Sequence, residues 1–254
     1  MIRKQGKFII QQDISPEEAK RLLEQGAEIM GTSLSRHQLG KFMDYLDLLC
    51  KWNRHINLTG LRSWREIIIK HFLDSLTPLP YLPKEARILD LGSGAGFPGL
   101  PIKIARPTQQ VTLIDASAKK ISFLKEVVRH LNLRPISIHQ AFLGKGSPDW
   151  FKAEQFEIII SRAVGKITDL LTGVSPYLPD RGQLVLMKGR QGVEEISALT
   201  AEIKGKGFRL EAPIVLTLPF LEQKRTLLFL TKVGGEMAAS AFRLPAIPFR
   251  RGTA

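Results

Sequence analysis

Ile88-Leu89-Asp90-Leu91-Gly92-Ser93-Gly94-Ala95-Gly96-Phe97-Pro98-Gly99 begins as a short apolar run and breaks into a loop with glycine at four places. The run has the texture of a buried strand. Glycine admits positive φ and lets a ligand approach the backbone closely. Pro98 suits the first turn of a helix. The stretch therefore reads as strand, glycine loop, helix. A helix start of this kind is expected to offer free N–H groups and the positive end of a dipole to an anionic group.

Gly94-x-Gly96-x-x-Gly99 satisfies a dinucleotide pattern, but that string alone is weak evidence. Two details point elsewhere. The glycines start earlier, at Gly92, and Asp90 closes the strand. A carboxylate there would repel a pyrophosphate, yet it suits a ligand carrying a sulfonium and an amino group. S-adenosylmethionine is such a ligand. The Asp-x-Gly-x-Gly-x-Gly order resembles the first motif of Rossmann-like methyltransferases. Val111-Thr112-Leu113-Ile114-Asp115 is a second strand ending in an acid, 19 residues past Gly96. An acid in that place accepts both ribose hydroxyls of a nucleoside cofactor.

The 254 residues suffice for one large domain with an extension, and 44% are hydrophobic, enough for a core. Lys and Arg number 37 against 24 acids, a formal charge of +13. A surplus of that size points to a polyanion partner, most simply nucleic acid. Cys50 is the single cysteine, so neither an internal disulfide nor a Cys-based metal cluster can form, and no metal is expected. Near the start, Phe8-Ile9-Ile10 is too short for the apolar core of a signal peptide. No stretch approaches the length of a membrane span. A soluble cytoplasmic protein, monomeric and without a membrane partner, is expected.

Residues 1–84 read as a helical extension. Ser15-Pro16-Glu17-Glu18 starts a helix running to about Met30. Ser35 starts a second, with Leu39, Phe42, Leu46, Leu49 and Ile56 at helical spacing, and Tyr45, Cys50 and Trp52 widening the stripe. Core packing is the expectation for Cys50 and Trp52, over a nucleophile or a base-stacking platform. Asn57-Leu58-Thr59-Gly60 is a polar turn, and Ser63 caps a third helix to about Leu76. His71 and Asp74 lie three apart on one face of that helix, close enough to hydrogen-bond.

From residue 85 to 233 strands alternate with helices, the pattern of a parallel α/β sheet. The expected strands are 88–91, 110–115, 136–140, 156–161 and 183–187. The helices are 98–106, 117–131, 166–177 and 192–206. Two last strands, about 208–217 and 225–232, have no helix between them and are expected to be antiparallel. Residues 234–254 read as a basic, peripheral tail. A Rossmann-like class I methyltransferase sheet with a terminal hairpin accounts for this order.

In open α/β sheets the ligand crevice lies outside the carboxyl ends of the strands. Those ends carry Asp90 and the glycine loop, Asp115, Gln140-Ala141-Phe142, Ser161-Arg162 and Lys188-Gly189-Arg190. Acids are thus placed for a cofactor, and cations for the phosphate of a nucleic-acid methyl acceptor. No Asn-Pro-Pro-Tyr or Pro-Cys pair follows a strand, so amino- and carbon-directed base methylation lack their usual signatures. A ring nitrogen such as guanine N7 needs no general base, because its lone pair attacks without losing a proton.

Asn57-Leu58-Thr59-Gly60, His71-Phe72-Leu73-Asp74-Ser75, the Asp90–Gly99 loop, Ser161-Arg162-Ala163 and Lys188-Gly189 together resemble the RsmG (GidB) family over roughly residues 35–232. Its members are bacterial methyltransferases that make N7-methylguanosine in small-subunit (16S) ribosomal RNA, near the decoding site. The resemblance implies 16S rRNA or the small subunit as partner, not DNA. It implies cofactor contacts at Asp90, Gly92, Ser93, Gly94, Gly96, Phe97, Asp115, Ala116, Ala141, Phe142 and Arg162. It implies substrate-side roles for His71, Asp74, Arg162, Lys188 and Arg225. Gln140-Ala141-Phe142-Leu143 departs from the family's Arg-Ala-Glu-like segment and leaves the adenine to the backbone and ring of Ala141 and Phe142. Three other readings stay open at this point. They are another methyl acceptor, a non-catalytic rRNA-binding or assembly factor on the same fold, and a dinucleotide oxidoreductase.

Overall fold

The computed structural model describes residues 9–142, 155–162, 165–190 and 192–234. The tail beyond 234, Leu143 and Ala163 of the quoted motifs, and most of the 141–154 loop lie outside the described residues.

The first two helices start as their sequences dictate. α1 (Pro16–Ile29) and α2 (Arg36–Asn53) each open on a capping box, Ser15 with Glu18 and Ser35 with Gln38. Gln38 also donates through Nε2 to the Ile104 and Ala105 carbonyls at 2.9 and 2.8 Å, which covers acceptors left open at the end of a later helix. The third helix is not uniform. α3 (Trp64–Ile67) widens into a π-helical stretch, Ile68–Leu73, and tightens again in α4 (Asp74–Leu76). The wider turn buries Ile68, Ile69, Phe72 and Leu73 together. Single π turns inside α-helices recur at functional sites, and this one carries His71.

β1 (Ile88–Leu91) leads to α5 (Gly99–Ala105), β2 (Val111–Asp115) to α6 (Ala118–His130), then to β3 (Ile136–Gln140). β4 (Ile158–Arg162) leads to α7 (Ile167–Val174), and β5 (Gln183–Lys188) to α8 (Gly192–Ser197) and α9 (Thr200–Gly205). The helix expected over 192–206 is thus two short ones. β6 (Phe208–Leu210), β7 (Ile214–Thr217) and β8 (Lys224–Lys232) complete the sheet. The strand expected over 208–217 is also two, interrupted at Pro213, whose missing N–H cannot join a ladder.

The order is β3-β2-β1-β4-β5-β8-β6, with β7 also on β8. Strands β1 to β5 are parallel, and β8 runs antiparallel between β5 and the β6/β7 edge. The order reverses between β1 and β4, so the ligand crevice belongs at their carboxyl ends.

Side chains alternate between two faces. Ile88, Ile158, Ile160, Val185, Met187, Leu227 and Phe229 join α1 to α6 in one buried cluster. Leu89, Leu91, Ile159, Leu184, Leu186, Leu228 and Leu230 face α7 to α9 in another. Three layers result, helices on both faces of the sheet.

Candidate active site

The glycine loop is held by its own chain. Gly92 and Ser93 N–H donate to the Ile114 carbonyl, and Gly96 and Phe97 N–H to the Ser93 carbonyl. Gly99 N–H donates to Asp90 Oδ2 at 2.8 Å. Ser93 Oγ closes back on the Asp90 carbonyl at 2.9 Å. The free amides expected of this helix start are therefore largely used inside the protein, because the loop folds back over Asp90. Asp90 has no exposed surface, and burial pushes its carboxyl up to about 7 against the Gly99 hydrogen bond. Its Oδ1 is buried without a hydrogen-bond partner among the described residues. Asp90 thus anchors the loop and presents no surface of its own to a ligand.

Two glycines carry the loop's shape. Gly96 has φ +97°, and a Cβ there would lie 2.4 Å from Leu100 Cδ1 and 2.7 Å from Tyr45 Oη. Gly94 has φ +60°, and a Cβ there would meet nothing nearer than the Gly92 carbonyl at 3.8 Å. One glycine is required by packing beneath, the other leaves open backbone above. Asp115 caps the second half. Its Oδ2 accepts from Gly94 N–H at 2.9 Å and its Oδ1 from Ser117 N–H at 2.8 Å, with Lys120 Nζ at 3.7 Å.

Tyr45 reaches this loop from α2. Its hydroxyl donates to the Ala95 carbonyl, and it is fully buried. Its ring stacks on Phe97 with centroids 5.6 Å apart, and Phe97 stacks on His71 at 4.4 Å. The Arg162 guanidinium lies 5.2 Å over the same Phe97 ring. Sequence reading placed Tyr45 in the core and missed its grip on the loop, since an apolar stripe does not reveal where a phenol points.

Phe97 connects the loop to a cationic cluster. Arg162, at the end of β4, donates through Nη1 to the Lys70 carbonyl at 3.2 Å and reaches Asp74 Oδ2 at 3.5 Å. Its Nη2 lies 3.1 Å from His71 Nδ1. Arg225, at the start of β8, donates through Nε to Asp74 Oδ1 at 2.9 Å. His71 Nε2 meets Thr59 Oγ1 at 2.7 Å. Burial, and then the nearby Arg162 charge, depress His71 to about 3. Burial raises the Asp74 carboxyl while both arginines pull it down. His71 and Asp74 do not bond each other directly; Arg162 joins them. Two cations share one buried carboxylate, and each arginine keeps 20% of its side chain exposed.

Lys188 is separate. It has the parity of Leu184 and Leu186 and so stands on the opposite face from Arg162 and Arg225. There it pairs with Glu195 of α8 at 3.2 Å, beside a cavity of about 390 Å³ lined by Gly189, Arg190 and Gly192. Near β3, Gln140 Nε2 donates to the Ala116 carbonyl at 3.1 Å and Ala141 N–H to the Asp115 carbonyl at 3.2 Å. Phe142 is 72% exposed beside them. Cys50 is half-buried against the core, and burial pushes its thiol up to about 11, which removes it as a nucleophile at neutral pH. Among the described residues no group of three His, Cys, Asp or Glu side chains is placed to hold a metal, and no helix is long and apolar enough to cross a membrane.

The residues fit a nucleoside ligand with a flat base. The backbone at Gly94 is open, the Asp115 carboxylate retains acceptor capacity, and Phe142 offers an exposed ring.

Residues 38–228 match the model of the family described as GidB, rRNA small subunit methyltransferase G. Curated relatives named ribosomal RNA small subunit methyltransferase G include one from Syntrophotalea carbinolica, 38% identical over 81% of this chain and 94% of that one. One from Lachnoclostridium phytofermentans is 37% identical over 82% of this chain and 87% of that one. One from Pelotomaculum thermopropionicum is 35% identical over 90% of this chain and 96% of that one. With this match spanning the glycine loop, the His71–Asp74 helix, Arg162 and Arg225, the chain belongs to the GidB family of small-subunit rRNA methyltransferases.

Proposed function

We propose that this protein transfers the methyl group of S-adenosylmethionine to guanine N7 in small-subunit (16S) ribosomal RNA, in the loop near the decoding site. The observation that carries the reading is the position of Phe97. This single loop residue stacks on His71 and lies under Arg162, so the candidate cofactor loop and the cationic cluster are in direct contact, which supports reading them as one site.

When bound, S-adenosylmethionine would supply an electrophilic methyl group for the N7 lone pair, the electrons of the broken C–S bond staying with the departing thioether. No proton leaves N7 in that step, so the chain's task is alignment and charge, not general-base catalysis. Gly92, Ser93, Gly94 and Gly96 would hold the cofactor along the loop, Asp115 and Ala116 would hold its ribose, and Ala141 and Phe142 its adenine. Arg162 and Arg225 together with Asp74 carry a net positive charge that suits an RNA phosphate. His71 is neutral at physiological pH and positions Arg162. Lys188, on the other face, suits a more distant phosphate contact. The formal charge of +13 supports binding to RNA.

The test is two-part. Titration calorimetry should show S-adenosylmethionine binding where NADH gives no heat. Tritium from the labelled methyl group should then enter unmethylated 16S rRNA, naked or in subunits. Binding of NADH alone would overturn the cofactor, and label entering protein or tRNA but not 16S rRNA would overturn the substrate.

A further inference from the structure

We propose that Thr59 is a positioning residue for methyl transfer: it fixes the tautomer of His71 and thereby aims Arg162. The inference rests on the functional reading above and extends it to a residue outside the charged cluster.

The argument begins with donors and acceptors. A guanidinium has N–H donors and no acceptor. Arg162 Nη2, 3.1 Å from His71 Nδ1, can bond it only if Nδ1 presents a lone pair. The Lys70 carbonyl also lies 3.2 Å from Nδ1, but Arg162 Nη1 already donates to that carbonyl at 3.2 Å. That carbonyl keeps a second lone pair, so hydrogen on Nδ1 would find an acceptor there, but the same N–H would then face the guanidinium 3.1 Å away, which favours the bare Nδ1. A neutral ring with a bare Nδ1 carries its hydrogen on Nε2. That hydrogen meets Thr59 Oγ1 at 2.7 Å.

Thr59 is itself built into place. Asn53, buried at the end of α2, accepts the Leu58 and Thr59 N–H groups on its Oδ1 at 2.9 and 3.0 Å. Leu61 N–H donates to Thr59 Oγ1 at 3.1 Å. The hydroxyl oxygen is thus an acceptor set by the polar turn, and a second acceptance from Nε2–H completes it. The chain of contacts runs Asn53, Thr59, His71, Arg162, Asp74, Arg225. Phe97 stacks on the imidazole from the loop side at 4.4 Å and so favours this plane of the ring. Removing the Thr59 oxygen leaves a half-buried N–H without its acceptor and frees the opposite tautomer, in which Nδ1–H points at a guanidinium.

The test uses the full-length protein. In long-range ¹H–¹⁵N spectra of the wild type, His71 should show the Nε2–H tautomer. Thr59→Val keeps the shape and removes the oxygen; its kcat for 16S rRNA methylation should fall about ten-fold. The S-adenosylmethionine Kd should stay within about two-fold. Thr59→Ser keeps the oxygen and should restore kcat and the tautomer. A wild-type His71 protonated on Nδ1 would overturn the proposal without any variant. So would a Thr59→Val enzyme with unchanged kcat, or a Thr59→Ser enzyme as impaired as the valine form. Should Thr59→Val fail to fold, the wild-type tautomer and the serine variant still decide. If the wild type methylates no 16S rRNA, the functional reading fails instead, and the tautomer measurement stands apart from it.

Discussion

Asp74 Oδ1 accepts the Arg225 Nε–H at 2.9 Å although the two residues stand 151 positions apart. The contact ties the end of an N-terminal helix to the antiparallel strand that closes the sheet. Arg162 approaches the other oxygen of the same carboxylate. Removing that carboxylate strands two largely buried cations. Asp74→Ala should therefore cost about 3 kcal/mol of stability, as breaking a buried pair does, together with most of the methyl-transfer activity. Urea unfolding measures the first loss, and single-turnover kinetics the second. An Asp74→Ala protein as stable and active as wild type would remove this cluster from the site.

The loop glycines differ in what they tolerate. A Cβ at Gly96 would press on Leu100 and on the Tyr45 hydroxyl, at a φ of +97°. Gly96→Ala should cost about 3 kcal/mol from overpacking and positive φ together, and should abolish S-adenosylmethionine binding by calorimetry. Tyr45→Phe removes only the bond to the Ala95 carbonyl and should cost about 1 kcal/mol, with a weaker but measurable cofactor Kd.

Asp90 should make stability depend on pH. Its folded value near 7 lies above the ordinary 3.8, with burial the first cause. A raised carboxyl contributes most at low pH, and that contribution fades as pH rises from about 4 through 7. Asp90→Asn removes the titration. The stability of wild type relative to this variant should fall by about 2 kcal/mol between pH 5 and 8. Urea midpoints at the two pH values give the answer, and a constant difference would contradict it.

His71 has the opposite sign. Its folded value near 3 lies below the ordinary 6.5, chiefly through burial and then through Arg162. Its contribution is present above 6.5 and is lost as pH falls toward 3. Wild type should lose about 1.5 kcal/mol more than His71→Gln between pH 6.5 and 5. Above pH 6 the imidazole should not titrate in NMR spectra, and kcat should show no step near 6.5 from this group.

Much of this fold was legible in the chain. Apolar runs closed by Asp90, Asp115, Arg162 and Lys188 marked the parallel strands, and the capping serines Ser15, Ser35 and Ser63 marked helix starts within a residue. The interruptions were harder. Pro213 was the available signal for two strands where one was expected, whereas the π turn at Ile68–Leu73 has no local signature and packs against α1. In the site, the strand-end rule grouped Lys188 with Arg162. Counting parity along β4 and β5 separates them: Arg162 falls with Ile158 and Ile160, Lys188 with Leu184 and Leu186. The glycine loop looked like an anion cradle because a sequence shows N–H groups without their acceptors. Asp90, Ser93 and Ile114 take most of them. Tyr45 and Thr59 stayed hidden because each acts through one oxygen atom on a partner distant in the chain or across a turn.

Mapping N7-methylguanosine comes first. The protein would be incubated with S-adenosylmethionine and unmethylated small-subunit RNA, both naked and in particles, and the RNA cleaved with borohydride and aniline. One new cleavage in the decoding-region loop, absent with Arg162→Ala, is the predicted result. No cleavage in either form, with S-adenosylmethionine still bound, would contradict the assignment of guanine N7 as the methyl acceptor.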